Sequence, residues 1–298
     1  MAEQILESNV KDTALIFEGG GMRASYTAPV VTELIKNQVF LDWVAGISAG
    51  STNTANYISR DLVRSRRSFV EFALDPNFGN LRTWARGNGL FNADYIYQRT
   101  SEPGQSLPYD WDVFNKNPIT FRIGAFRADD GKEVFWGRED INVPEDFLVR
   151  VQASSTMPVF MPPVEIDGQM YVDGALGPSG GIALDAAKAD GYEKFLVVLT
   201  RPRDYVKKPF RANAVTRRVF KDYPSVTEAL MERPENYNRT REELFDLEAD
   251  GKAYVFAPTG YLVSNRERRF SRLERSYTEG AEQIRSEMPA IKEFLGLA

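Results

Sequence analysis

The stretch Val44-Ala45-Gly46-Ile47-Ser48-Ala49-Gly50-Ser51-Thr52 decides the reading of this chain. An apolar run ends at Ile47, and a run of small residues with helical character begins after Ser48. Its centre, Gly46-Ile47-Ser48-Ala49-Gly50, is a G-x-S-x-G pentapeptide placed where a strand turns into a helix. Such a turn lifts the serine hydroxyl out of the sheet, the geometry of a nucleophile elbow. The flanking Gly46 and Gly50 remove Cβ atoms that so sharp a bend cannot hold. The helix start behind Ser48 offers unpaired N–H groups and the positive end of a dipole.

Outward from the elbow, the same order is met twice. Residues 13–17 read as a buried strand, Glu18-Gly19-Gly20-Gly21-Met22-Arg23 as a glycine loop and 24–36 as a helix. Residues 43–47, the elbow and a helix through about Ser59 repeat it. Two strand-loop-helix units predict a mostly parallel sheet flanked by helices. A further helix is predicted over 61–74, with Arg64, Arg66 and Arg67 facing water. Residues 75–117 lose periodicity and read as a long loop, either a lid or a surface excursion. Hairpins follow at 119–128 with 132–136 and at 164–166 with 170–172, turning at Asp129-Asp130-Gly131 and Asp167-Gly168. The second delivers Asp173-Gly174-Ala175. Between them lie a helix over 145–155 and an apolar, proline-broken segment, 157–163.

The remainder reads as a helix at 183–189, a strand at 194–200, a basic loop at 201–218 and a helix at 225–249 interrupted at Pro234. A strand at 253–257 and an amphipathic helix at 270–297, weakened at Gly280 and Pro289, close the chain. With no repeat and no linker, 1–298 reads as a single domain. Its motif-bearing part covers about 13–200 and its C-terminal helical part about 214–298.

Composition narrows the chemistry. The chain has 298 residues, 43% of them hydrophobic, enough for a large α/β core. A net charge of −5 speaks against nucleic acid as a partner. There is no cysteine and no histidine. Disulfides, thiolate or imidazole metal ligands, cysteine nucleophiles and any Ser-His-Asp triad are therefore excluded. No cofactor and no metal are expected, and a base for Ser48 must be a carboxylate or a lysine. The opening MAEQILESNVKDT is mixed and acidic, and no run is long and apolar enough to span a membrane, so the expected location is cytoplasmic.

Three glycines between a strand and a helix suit a negative charge. That charge is either a phosphate, since Gly19-x-Gly21-x-x-Ala24 fits the loose dinucleotide fingerprint, or the oxyanion of an acyl intermediate. The fingerprint wants an acidic residue at the end of the second strand. Asp42 precedes that strand and Ser48 holds its end, which favours the oxyanion. Arg23 either stabilises this loop, partners a substrate phosphate or is simply solvated. Asp173 is either a base for Ser48 or a turn residue before Gly174, and the lack of histidine favours the base.

Taken together and in order, Gly19-Gly20-Gly21-Met22-Arg23, Gly46-Ile47-Ser48-Ala49-Gly50 and Asp173-Gly174-Ala175 closely resemble the motifs of the patatin-like phospholipase family. Ala153-Ser154-Ser155-Thr156-Met157-Pro158 also resembles the family segment ahead of its aspartate, and Ala24 stands where the family usually has glycine. The resemblance implies a three-layer α/β/α fold and a Ser-Asp dyad hydrolase acting on phospholipid or other fatty-acyl esters. It implies Ser48 as nucleophile, Asp173 as base, Gly19, Gly20 and Gly21 as the oxyanion hole with Arg23 supporting them, and Gly46, Gly50 and Gly174 as motif glycines.

Met157–Pro163 and Phe78, Trp84, Leu90, Phe91 and Tyr95 are candidate acyl-chain contacts or ordinary core. Arg201, Arg203, Lys207, Lys208, Arg211, Arg217 and Arg218 face either anionic headgroups at a membrane surface or water. A nucleotide-binding α/β protein and a non-catalytic lipid-binding protein remain as alternatives.

Overall fold

The computed structural model of the protein describes residues 6–79, 91–212 and 214–297. Trp84, Leu90 and the 80–90 part of the expected loop lie outside these residues. Among the described residues, eight strands form one sheet: β1 (Thr13–Phe17), β2 (Trp43–Ile47), β3 (Thr120–Arg127), β4 (Lys132–Trp136), β5 (Val164–Ile166), β6 (Gln169–Asp173), β7 (Lys194–Val198) and β8 (Ala253–Phe256). β3, β2, β1, β7 and β8 pair in that order and in parallel. The β5–β6 hairpin and β4 join β3 antiparallel. The β5–β6 turn holds Asp167 and Gly168 both at positive φ (53° and 75°), the backbone a two-residue hairpin requires.

Strand residues alternate between two cores. Leu15, Phe17, Val44, Phe121, Ile123, Leu196 and Val198 face one side. Ala14, Ile16, Trp43, Ala45, Ile47, Phe195 and Val197 face the other. The first side is covered by α1 (Ala28–Lys36), α2 (Ala49–Ile58), α3 (Pro144–Ser154) and α5 (Phe270–Phe294). The second is covered by α4 (Pro224–Ala249) and the short helix Leu184–Ala189. The result is a three-layer α/β/α sandwich about a mostly parallel sheet.

Several local expectations change for identifiable reasons. The helix expected from residue 24 is a 3-10 turn, Gly21–Ser25, followed by α1, because Pro29 near the start of α1 cannot donate back into the preceding turn. Ala24 is fully buried and packs with Ala28, Ala49 and Phe69. The helix expected over 61–74 changes pitch, from an α-turn (Arg64–Arg66) through a π-turn (Arg67–Glu71) to a 3-10 turn (Phe72–Leu74). Arg64 is not on the wet side. It is buried, bonds to Asn56 Oδ1 (2.6 Å), Ser101 Oγ (3.2 Å) and the Leu107 carbonyl (3.3 Å), and lies over the Tyr109 ring.

α4 runs unbroken through Pro234, whose lost hydrogen bond is offset by burial of Val226, Tyr237 and Leu244 along the same helix. Gly280 is a point of close approach rather than a weak point: a Cβ there would collide with the Tyr26 carbonyl, so α5 crosses tightly over the start of α1. No helix among the described residues is long and apolar enough to cross a membrane.

Candidate active site

The elbow is built by close backbone contact. A Cβ on Gly46 would overlap the backbone of Gly50, and one on Gly50 would overlap the Phe17 carbonyl. α2 is thereby allowed to rise directly off the end of β2, over β1. Ser48, between them, sits at φ 57° and ψ −128°, a left-handed conformation that a non-glycine residue holds at a cost of roughly 1–3 kcal/mol. Ser154, on α3, holds it there. Its Oγ accepts the Ser48 N–H (2.9 Å) and donates to the Gly124 carbonyl (2.5 Å).

β3 brings Asp173 to this point. β2 runs parallel to β3 and pairs with it up to Ile47 opposite Gly124. β6 runs antiparallel and pairs with it up to Asp173 opposite Ala125. β4 pairs with Ile123–Arg127 and so occupies the other edge of β3. β2 and β6 therefore meet head-on along one edge, their ends one residue apart. Gly174 completes the approach, because a Cβ there would stand 2.5 Å from the Gly124 carbonyl oxygen. The Ser48 Oγ donates to Asp173 Oδ2 at 2.7 Å across 125 positions of sequence. Asp173 Oδ1 accepts the Ala175 N–H (2.9 Å), and the Asp173 N–H donates to the Thr156 carbonyl (2.8 Å). The carboxylate is thus fixed from both sides.

Both side chains are buried, Ser48 at 6% and Asp173 at 7% exposure. Burial raises the Asp173 carboxyl above the usual carboxylate range. The charges of Arg233 and Lys207 and the bonds from Ala175 and Ser48 oppose that rise without cancelling it.

The glycine loop lies against Ser48. A Cβ on Gly19 would stand 3.0 Å from the Ser48 Cβ and 2.9 Å from the Ile47 carbonyl oxygen. Gly21 has φ 54°, and a Cβ there would meet the Asn265 carbonyl oxygen at 2.5 Å. The three amides are not equivalent in their present bonding. The Gly19 N–H already donates to the Gly181 carbonyl (3.2 Å). Among the described residues no acceptor is present for the N–H groups of Gly20, Gly21 or Ala49. The Arg23 guanidinium is buried with its Nε unpartnered.

Ser48 opens onto an apolar pocket of about 890 Å³ of atom-free space, part of it at the open mouth. Phe78, Phe91, Met157 and Met161 line it, joined by Phe72 and Val151. Tyr95 does not line it and bonds instead to Asp75. Tyr97 lines it, and burial pushes its hydroxyl up to about 12. Of the basic residues, Arg203 pairs with Glu248, Lys208 and Arg211 are exposed, Arg201 lies over the Tyr205 ring (4.2 Å) and Lys207 over the Tyr237 ring (4.3 Å), and the charges of both act on Arg23 or are acted on by it. Among the described residues no group of three or more acidic side chains is placed to hold a metal.

The 153–158 segment stands out in the sequence, but nothing there assigns a role to Ser154 or to the Thr156 carbonyl. The run of three small hydroxyl residues, Ser154-Ser155-Thr156, is the signal that was there to read.

Comparison with known proteins places this chain beside the following. Residues 15–184 match the profile of "Patatin-like phospholipase". Residues 223–296 match a "Domain of unknown function (DUF6363)". The chain is 27% identical over 201 residues to "Uncharacterized protein YjjU" of Escherichia coli (strain K12), a match covering 66% of this chain and 54% of that protein. The chain thus spans about half the length of the curated relative it matches. The crystal structure of VipD from Legionella pneumophila is similar in fold, with a TM-score of 0.51 at 11% identity, covering 97% of this chain and 71% of that one.

Proposed function

The chain belongs to the patatin-like phospholipase family, and we propose that it is a serine lipid acyl hydrolase cleaving fatty-acyl esters through a Ser48–Asp173 dyad. The observation that carries this reading is the 2.7 Å bond from Ser48 Oγ to Asp173 Oδ2 at the mouth of an apolar pocket.

The chemistry follows from the contacts. Asp173 Oδ2 takes the Ser48 proton as Oγ attacks the ester carbonyl carbon, and the carbonyl oxygen becomes an oxyanion. The N–H groups of Gly20, Gly21 and Ala49 are the donors left for it, each contributing on the order of 3 kcal/mol to the transition state. Gly19 serves by shape, letting the loop lie against Ser48. Collapse of the tetrahedral intermediate expels the alcohol, which takes the proton from Asp173, and leaves an acyl-Ser48. Asp173 then deprotonates a water that attacks the acyl carbon and frees the fatty acid. A carboxylate is a weak base at its ordinary value, so the upward shift from burial suits Asp173 to this role. The apolar pocket takes the acyl chain, and its open mouth lets the substrate enter from a lipid surface.

We further read 1–298 as one domain. α5 supports this by crossing onto Tyr26, and α4 by sending Arg233 Nε to the Ala175 carbonyl (2.9 Å).

Release of p-nitrophenol from a fatty-acyl p-nitrophenyl ester tests the reading. The wild-type protein should turn it over, and Ser48→Ala, folded by circular dichroism, should not. Equal turnover by the variant would overturn it. Lipid binding without turnover in the wild-type protein would make this a lipid-binding protein instead.

A further inference from the structure

Four cationic side chains converge beside the dyad, on the side away from the acyl pocket. Arg23 ends the glycine loop. Arg201 follows Thr200, which bonds Glu18 through its N–H and the Gly19 carbonyl through its Oγ1 (2.9 Å). Lys207 places its Nζ 4.3 Å from the centre of the Tyr237 ring, and Tyr237 bonds Glu18 Oε1 (2.7 Å). Arg233 lies one helical turn before Tyr237 on α4 and donates to the carbonyl of Ala175, whose N–H holds Asp173. Lys207 and Asn238 exchange two further bonds, at 2.9 and 3.0 Å, which fix the 207 backbone on α4. None of the four cations lines the acyl pocket.

These charges are not neutralised. Among the described residues, none of the four forms an ion pair, and the Nε atoms of Arg23 and Arg201 are buried without an acceptor. The carboxylates facing the group are Glu18, already engaged by Tyr237 and Thr200, and Asp173. Arg23 is held down to about 10 by burial and by Arg201 and Arg233. Lys207 is held down to about 7 by burial and by Arg233, Arg23 and Arg201. Three guanidinium groups face the carboxylates of Glu18 and Asp173, an excess that reaches about two positive charges once Lys207 carries its proton. Clustered cations without an ion-pair partner complement an anion of two charges with several acceptor oxygens. Arg201, Lys207 and Arg233 are only half-buried, so a ligand reaches them.

We propose that Arg23, Arg201, Lys207 and Arg233 form a subsite for a phosphomonoester, which selects acyl esters whose headgroup ends in a dianionic phosphate. This rests on the reading of Ser48 and Asp173 as the hydrolytic dyad. A substrate with its ester carbonyl at Ser48 and its chain in the apolar pocket directs its headgroup past Gly20 toward these residues. The segment 201–212 and α4 thereby set substrate choice, while the preceding part of the chain carries the reacting groups.

The test uses dioctanoyl phosphatidic acid, dioctanoyl phosphatidylcholine and dioctanoylglycerol below their aggregation limits, with inorganic phosphate as a fourth ligand. Binding is measured by calorimetry on Ser48→Ala, and kcat/KM on protein with Ser48 intact. The phosphatidic acid should bind and turn over at least tenfold better than either other lipid. Arg201→Gln with Lys207→Met should remove that preference, while Arg201→Lys keeps most of it. Inorganic phosphate should compete with the phosphatidic acid for Ser48→Ala and lose that ability in the double variant. Equal binding of the three lipids, or a preference that survives in a double variant of unchanged melting temperature, overturns the proposal. Competition by phosphate with no preference among lipids also overturns it, since the site then serves the free ion. If the double variant does not fold, Lys207→Met alone must lower the preference at least threefold. Selective binding by Ser48→Ala without any turnover by the wild-type protein leaves the subsite standing and removes the dyad reading.

Discussion

Removing the Ser154 hydroxyl probes how the elbow is held. Ser154 Oγ is the shared partner of two buried backbone groups, the Ser48 N–H at 2.9 Å and the Gly124 carbonyl at 2.5 Å. Ser154→Ala strands both, and Ser154 is fully buried. A buried donor or acceptor left unpaired costs about 1–3 kcal/mol. Two such groups, one with a second lone pair to satisfy it, give a loss of about 2–4 kcal/mol. For a chain of 298 residues that is a fall of roughly 4–8 °C in Tm. The loss also frees a residue held at φ 57°. Relaxation of Ser48 by even a fraction of an ångström misaligns Oγ, which lowers kcat by about ten- to a hundredfold. Differential scanning calorimetry and ester turnover on the same preparation read both effects. A Tm within about 1 °C of wild type together with kcat within twofold would show that the elbow is held without Ser154.

Further predictions address Asp173, Gly50 and the pocket wall. Asp173→Asn should lower kcat by about 10²–10⁴, the range a general base contributes, and should keep the fold, because Asn Oδ1 still accepts the Ala175 N–H. Its sign on stability is opposite: a carboxyl raised by burial stabilises fully below its unfolded value near 3.8 and loses that contribution as pH rises through its raised value, so the variant should melt higher than wild type at pH 7 and lose this advantage on acidification. By the same shift, the acid limb of wild-type kcat/KM should lie above pH 3.8, which a pH–rate profile checks. Gly50→Ala should fail to fold or lose several kcal/mol on chemical denaturation, since its methyl meets the Phe17 carbonyl with no side chain to move aside. Met157→Trp, on the pocket wall, should raise KM for a hexadecanoyl ester far more than for a butanoyl ester.

The sequence carried the parts of this site that are local. Gly46 and Gly50 mark the elbow because only glycine fits where α2 rises over β1 and β2. The β5–β6 turn is written in Asp167-Gly168, and the hairpin it closes delivers Asp173. Contacts made across long separations were not legible. The Gly19 amide looks the same in sequence as that of Gly20, and only Gly181, 162 positions later, distinguishes them. Arg64 reads as a solvated helix residue until Asn56, Ser101 and the Leu107 carbonyl surround it. Pro234 reads as a helix break, and burial along α4 overrides it. Lys207 reads as one more charge in a basic loop, because nothing near it in sequence announces Tyr237 or Arg233.

The dyad is the centre of this account, and covalent labelling tests it most directly. Wild-type protein, Ser48→Ala and Asp173→Asn are each treated with a fluorophosphonate and weighed intact, with the adduct located by peptide mapping. The account predicts one adduct per wild-type chain, on Ser48, no adduct on Ser48→Ala, and labelling of Asp173→Asn slowed by at least a hundredfold. An adduct on another residue, or labelling of Asp173→Asn at the wild-type rate, would contradict it.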